Sequence, residues 1–60
     1  MELSEKELSV VQDLLTEEEL LVKKFKMLAN HSQDETVKQQ MLDIANKHQG
    51  HFNAIYSYLN

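Results

Sequence analysis

The sequence contains no cysteine, no proline, no arginine and a single glycine among its 60 residues. Without cysteine, neither a disulfide nor a thiolate metal site can form. Without proline, and with one glycine, few positions interrupt regular structure, which favours long helices. A chain this short buries little of its surface, so its fold is expected to depend on a metal or on self-association.

Charge and hydropathy exclude several classes of function. Ten acidic residues outnumber six lysines, giving a net charge of -4, whereas a nucleic-acid module would show clustered basic residues. No apolar run approaches the roughly 18 residues of a membrane span, and no signal-peptide pattern opens the chain. No nucleophile–base pattern or phosphate-binding loop is present. We therefore expect a soluble, cytoplasmic, non-enzymatic protein that binds neither nucleic acid nor membrane.

Two segments carry apolar residues at alternating spacings of three and four, which is typical of amphipathic helices. The first set is Leu8, Val11, Leu15, Glu18, Val22, Phe25 and Ala29. The second set is Val37, Met41, Ile44, His48, His51, Ile55 and Tyr58. Polar residues interrupt both sets, one in the first and two in the second.

Capping signals place the helix ends. Ser4 precedes Glu7 by three residues, which is the spacing of a capping box, and Ser32 or Asp34 can cap a second helix. The sequence predicts one all-α domain over residues 1–60, an antiparallel hairpin with helices near 5–31 and 35–59 and a turn at 32–34. Because Thr16 also begins a capping-box pattern, a break there is the alternative, giving three helices.

The predicted hairpin has more apolar surface than one partner helix can cover. Leu14, Leu21 and Leu28 flank the first set at seven-residue spacing, and Phe52 flanks the second. Exposing these side chains would create a large apolar patch. We therefore expect a homodimer in which two hairpins form a four-helix bundle, with these four residues in the interface.

The polar interruptions fall at matching heights when the chain folds back at residues 33 and 34. Glu18 then lies level with the gap between His48 and His51, and these three side chains suit zinc or iron as ligands. Two other interpretations stay open. The three can form a buried hydrogen-bonded network that sets the helix register, or Glu18 can turn outward to water.

These residues also resemble two related groups of proteins. Glu18, followed on the same face by Phe25 and Ala29, is similar to the first half-motif of ferritin-like and rubrerythrin-like bundles. The stretches 34–38 and 44–51 resemble their second helix, which ends in Glu-x-x-His. More closely, residues 13–30 together with the Lys-His-Gln-Gly-His run at 47–51 resemble the spore coat protein F family. This similarity extends over about residues 8–59.

The resemblance implies a ferritin-like bundle with Glu18 and His51 as ligands. His48 stands where the ferritin-like pattern has a bridging glutamate, so di-iron oxygen chemistry is not expected. The coat-protein resemblance implies a non-enzymatic component of the spore coat or of sporulating cells, with other coat proteins as further partners. The alternatives are a ferritin-like metal-binding protein with redox activity and a helical-hairpin regulator that docks a different protein.

Overall fold

In the computed structural model, which describes residues 2–59, two α-helices pack side by side as an antiparallel hairpin. Helix α1 runs over Glu5–His31 and helix α2 over Glu35–Tyr56, followed by a 3-10 turn at Ser57–Leu59. No strand occurs within the described residues, so the predicted all-α hairpin is confirmed. The first and last residues of the predicted 1–60 domain lie outside the described part. Within residues 2–59, no helix is both long and apolar enough to cross a membrane.

The start of α1 is held by the predicted capping box. The backbone N–H of Glu7 donates to the Ser4 hydroxyl at 3.1 Å, and the backbone N–H of Ser4 donates to Glu7 Oε1 at 3.0 Å. These bonds satisfy donors that a helix N-terminus leaves without partners. Chiefly because the Ser4 backbone donates to it, the Glu7 carboxyl has a pKa below its ordinary value.

Three residues make the turn between the helices, and the second of the two predicted caps is the one used. The carboxylate of Asp34 accepts hydrogen bonds from the backbone N–H groups of Thr36 at 2.8 Å and Val37 at 3.1 Å. Ser32 instead supports the turn, since its hydroxyl bonds to the backbone of Asp34. The turn therefore begins and ends within residues 32–34, as predicted.

Helix α1 matches its predicted bounds, whereas helix α2 is shorter than predicted. Helix α1 is unbroken at Thr16, whose hydroxyl donates to the Gln12 carbonyl within the helix, so the three-helix alternative is wrong. Helix α2 was expected to reach residue 59 but ends at Tyr56. There the Ser57 hydroxyl donates to the Ala54 carbonyl at 2.6 Å, and the chain tightens into a 3-10 turn, as helix ends often do.

The buried core of the single hairpin is very small. Among the described residues only three apolar side chains are buried, Val22, Ala29 and Ala45. Large apolar side chains remain exposed along the whole length. They are Leu8, Val10, Leu14, Leu20, Met27, Leu28, Val37, Tyr56, Tyr58 and Leu59. Helix-to-helix packing within one hairpin thus leaves most of the apolar surface uncovered.

The hairpin has two broad faces, and groove geometry assigns side chains to them. Lys23 and Gln49 line one groove. Leu21 lies two residues before Lys23, and His51 lies two residues after Gln49. Because residues two apart on a helix point about 200° apart, Leu21 and His51 both lie on the opposite face. Residues seven or fourteen positions away from Leu21 or His51 point in nearly the same direction and lie on that face too. We call this surface the leucine face; it comprises Leu14, Leu21 and Leu28 of α1 with Val37, Ile44 and His51 of α2.

The single glycine lies within α2 and has open space around it. A Cβ atom added at Gly50 would meet nothing within 4 Å, and alanine is better than glycine in a helix by about 1 kcal/mol. The variant Gly50→Ala is therefore expected to raise the melting temperature by about 4–8 °C, measured by circular dichroism. A lower melting temperature would mean that a second molecule approaches the backbone at this position.

Candidate metal site

The fold brings the three predicted ligands together near the middle of the hairpin. Glu18 projects from α1 and both histidines project from α2, one helical turn apart. Nδ1 of His48 lies 2.6 Å from Glu18 Oε1, and Nδ1 of His51 lies 3.1 Å from Glu18 Oε2. Each carboxylate oxygen therefore faces one imidazole. We call this group the Glu-His-His cluster.

Burial decreases across the cluster from the contact between the two helices to the leucine face. The side chain of Glu18 is 15% exposed, that of His48 is 23% exposed, and that of His51 is 59% exposed. The low exposure of Glu18 is incompatible with the interpretation in which its side chain turns outward to water. His51 instead forms the open edge of the cluster.

Aromatic packing orients both imidazole rings. The ring of His48 stacks on Phe25 with centroids 5.8 Å apart and planes at 11°. The His51 ring meets His48 edge-on, with centroids 5.4 Å apart. Sequence reasoning placed Phe25 in the first apolar set but missed its role as support for His48. The available signal was its position two turns after Glu18 on the same face.

The donor set matches what a divalent transition metal requires. Ligand atoms from all three side chains lie within 4.8 Å of one another. In tetrahedral zinc the neighbouring ligand atoms are roughly 3.3 Å apart, so the two close nitrogen–oxygen pairs must separate slightly and atoms up to 4.8 Å apart must approach for the ion to bind. Two imidazoles and one carboxylate also form the facial set that non-haem iron uses. The cluster supplies three ligands and leaves further coordination positions open.

The same geometry also satisfies the hydrogen-bonded alternative. Among the described residues, no buried side-chain nitrogen or oxygen lacks a hydrogen-bond partner. With a proton on Nδ1, His48 donates to Glu18 Oε1, and charge-assisted bonds of this kind are the strong ones. Nδ1 of His51 contacts the other carboxylate oxygen at 3.1 Å. Metal binding and a register-setting network therefore use the same three side chains, and metal titration distinguishes them.

Of the four predicted interface residues, three share one face. Leu14 is 42% exposed, Leu28 is 46% exposed, and Leu21 between them is partly exposed. Phe52 instead lines the groove on the other face with Lys23, and its ring stacks on Tyr56 with centroids 6.0 Å apart. Within one hairpin Phe52 therefore lies away from the three leucines, and its place in a dimer interface stays a prediction.

Comparison of the chain with models of known protein families, with curated proteins and with solved structures finds no match. The resemblance to spore coat protein F therefore stays a prediction that depends on the residues quoted above.

Proposed function

We propose that this chain is a non-catalytic, self-associating helical protein of the spore coat protein F type. In this proposal two hairpins form a homodimeric, ferritin-like four-helix bundle that serves as a structural component of the spore coat or of sporulating cells. Other coat proteins would be its further partners. The observation that carries the proposal is the leucine face, where Leu14 and Leu28 remain nearly half exposed.

The size of this face supports a second copy as its cover. The Cα outline of the hairpin measures 46 by 14 Å across the broad faces, about 640 Å² before side chains are added. A standard stable interface buries about 800 Å² on each partner. Two hairpins stacked along their full length therefore bury an area of the size that specific association requires.

Spacing supports the same arrangement. Leu14, Leu21 and Leu28 recur every seven residues, as do Val37, Ile44 and His51. A seven-residue repeat keeps an apolar stripe facing a partner along the length of a helix pair. Both helices thus present a stripe on one face, and a two-fold axis makes such a face complementary to itself.

A second candidate function is binding of zinc or iron, favoured by the Glu-His-His cluster. Its three ligand atoms converge from two helices, and aromatic packing holds the His48 ring in place. The first candidate does not require this function, because a dimer can form with a hydrogen-bonded cluster. A redox role is not proposed, since the bridging glutamate of ferritin-like di-iron sites is replaced by His48.

Sedimentation velocity over a range from low-micromolar to near-millimolar protein tests the first candidate. We expect a monomer–dimer equilibrium with the dimer dominant at high concentration, and a melting temperature that rises with concentration. A species of one chain at every concentration, melting independently of dilution, would refute self-association. That result would favour the alternative in which the leucine face docks a different protein.

A further inference from the structure

The Glu-His-His cluster lies at the centre of the surface that the proposed dimer buries. Glu18 is the middle residue of the 27-residue α1, and Leu14 and Leu21 lie about one turn to either side of it. His51, the most exposed member of the cluster at 59%, belongs to the leucine face. A second hairpin covering that face therefore also covers the open edge of the cluster.

Symmetry then brings two clusters together. Two hairpins can stack about a two-fold axis that runs along the bundle or about one that crosses it. An axis along the bundle keeps every residue at its own height, and a crossing axis through the middle exchanges the two ends. The cluster is at mid-length. When the two hairpins overlap along their full length, both arrangements therefore place one cluster opposite the other.

Coordination chemistry gives this arrangement a consequence. Zinc takes four ligands in closed protein sites, and one hairpin offers three. The Glu18 carboxylate of the second copy can complete the shell, because each carboxylate has two oxygens that can bridge two cations, so six side chains fill the eight coordination positions of two zinc ions. Without a cation, the same packing brings two carboxylates into a water-poor centre, where like charges repel more strongly than in water.

We infer that a divalent cation bound by the Glu-His-His cluster strengthens self-association, with each copy of the chain closing the site of the other. This inference depends on the proposed homodimer. Coupling of this kind is reciprocal, so self-association must also strengthen cation binding by the same factor. The cation then acts as a regulator of assembly, and the cluster is a shared site between two copies.

Sedimentation velocity of the full chain with excess chelator, and then with zinc chloride, tests the inference. The exposed His31 is changed to alanine throughout, so that the two histidines of the cluster are the only ones in the chain. We expect zinc to lower the dimer dissociation constant at least tenfold, and zinc titrations to show tighter binding at protein concentrations where the dimer dominates. In the variant His51→Ala, the dimer dissociation constant measured with zinc should equal the one measured with chelator.

The outcomes separate the inference from the function on which it depends. A dimer whose dissociation constant is the same with zinc and with chelator overturns the inference and leaves self-association intact. Chains that stay monomeric in both solutions overturn the proposed homodimer as well. An equal zinc response in His51→Ala and in the His31→Ala background would place the zinc elsewhere and also overturn the inference.

Discussion

Replacing Leu21 by glutamate is expected to weaken the dimer at least about 100-fold. Each dimer contains two copies of this side chain, and burying one leucine contributes about 1.5–3 kcal/mol. The substitution also places a carboxylate in an apolar interface beside Glu18, where an unpaired charge is costly. Because about 1.4 kcal/mol corresponds to tenfold in affinity, the loss exceeds two orders of magnitude. Sedimentation equilibrium measures it directly.

Leu20 offers a matched control at the adjacent position. Its side chain is 59% exposed and points about 100° away from that of Leu21, on the outer side of α1. Leu20→Glu should therefore change stability by less than about 0.5 kcal/mol and leave the dimer intact. Equal behaviour of the two variants would show that the leucine face is not the interface. Circular dichroism of both variants shows whether helix content falls together with the dimer.

Changing Glu18 to glutamine is expected to reduce zinc affinity by at least about 100-fold. Even residues that only hydrogen-bond to a metal ligand change metal affinity by about 10–100-fold, and Glu18 is a ligand itself in this proposal. Glutamine preserves the shape of the side chain and removes the negative charge of the carboxylate, whose two oxygens face the two imidazoles at 2.6 and 3.1 Å. His48→Ala should weaken binding to a similar extent, since it removes the better buried of the two imidazoles. Competition with a chromophoric chelator measures both affinities.

Two controls match these ligand variants. Glu19→Gln makes the same chemical change one residue away, at a side chain that is 57% exposed and pairs with Lys23. His31→Ala removes the histidine that lies at the exposed end of α1. Both should bind zinc as the unchanged chain does. If Glu18→Gln lowers thermal stability without affecting zinc binding, the cluster is a register-setting network and the metal site is wrong.

Local chemistry made much of this fold predictable. The capping box at Ser4 and Glu7 depends on a three-residue spacing that is visible in sequence, and Asp34 begins α2 for a similarly local reason. The pairing of Glu18 with residues near position 49 follows from one short turn and two helices of fixed rise. Each of these features depends on neighbours in sequence or on helix geometry alone.

The sequence does not show in which direction a side chain points relative to the helix packed beside it. Phe52 has the same seven-residue spacing as Ala45, and only the packing of α2 on α1 shows that it faces the lysine-lined groove. The same packing leaves His51 far more exposed than His48, although both fit the apolar spacing equally well. A small rotation of one helix about its axis decides such differences in exposure, and the spacing of apolar residues does not predict that rotation.

In the proposed dimer, the small core of each hairpin would link the amount of protein in the cell to its folded fraction. Val22, Ala29 and Ala45 bury too little surface to offset the chain entropy lost on ordering two long helices. If a second copy supplies the missing cover, folding becomes a bimolecular event. Newly made chains at low abundance then remain exposed to proteolysis, and the protein accumulates only where its synthesis is intense enough for copies to meet.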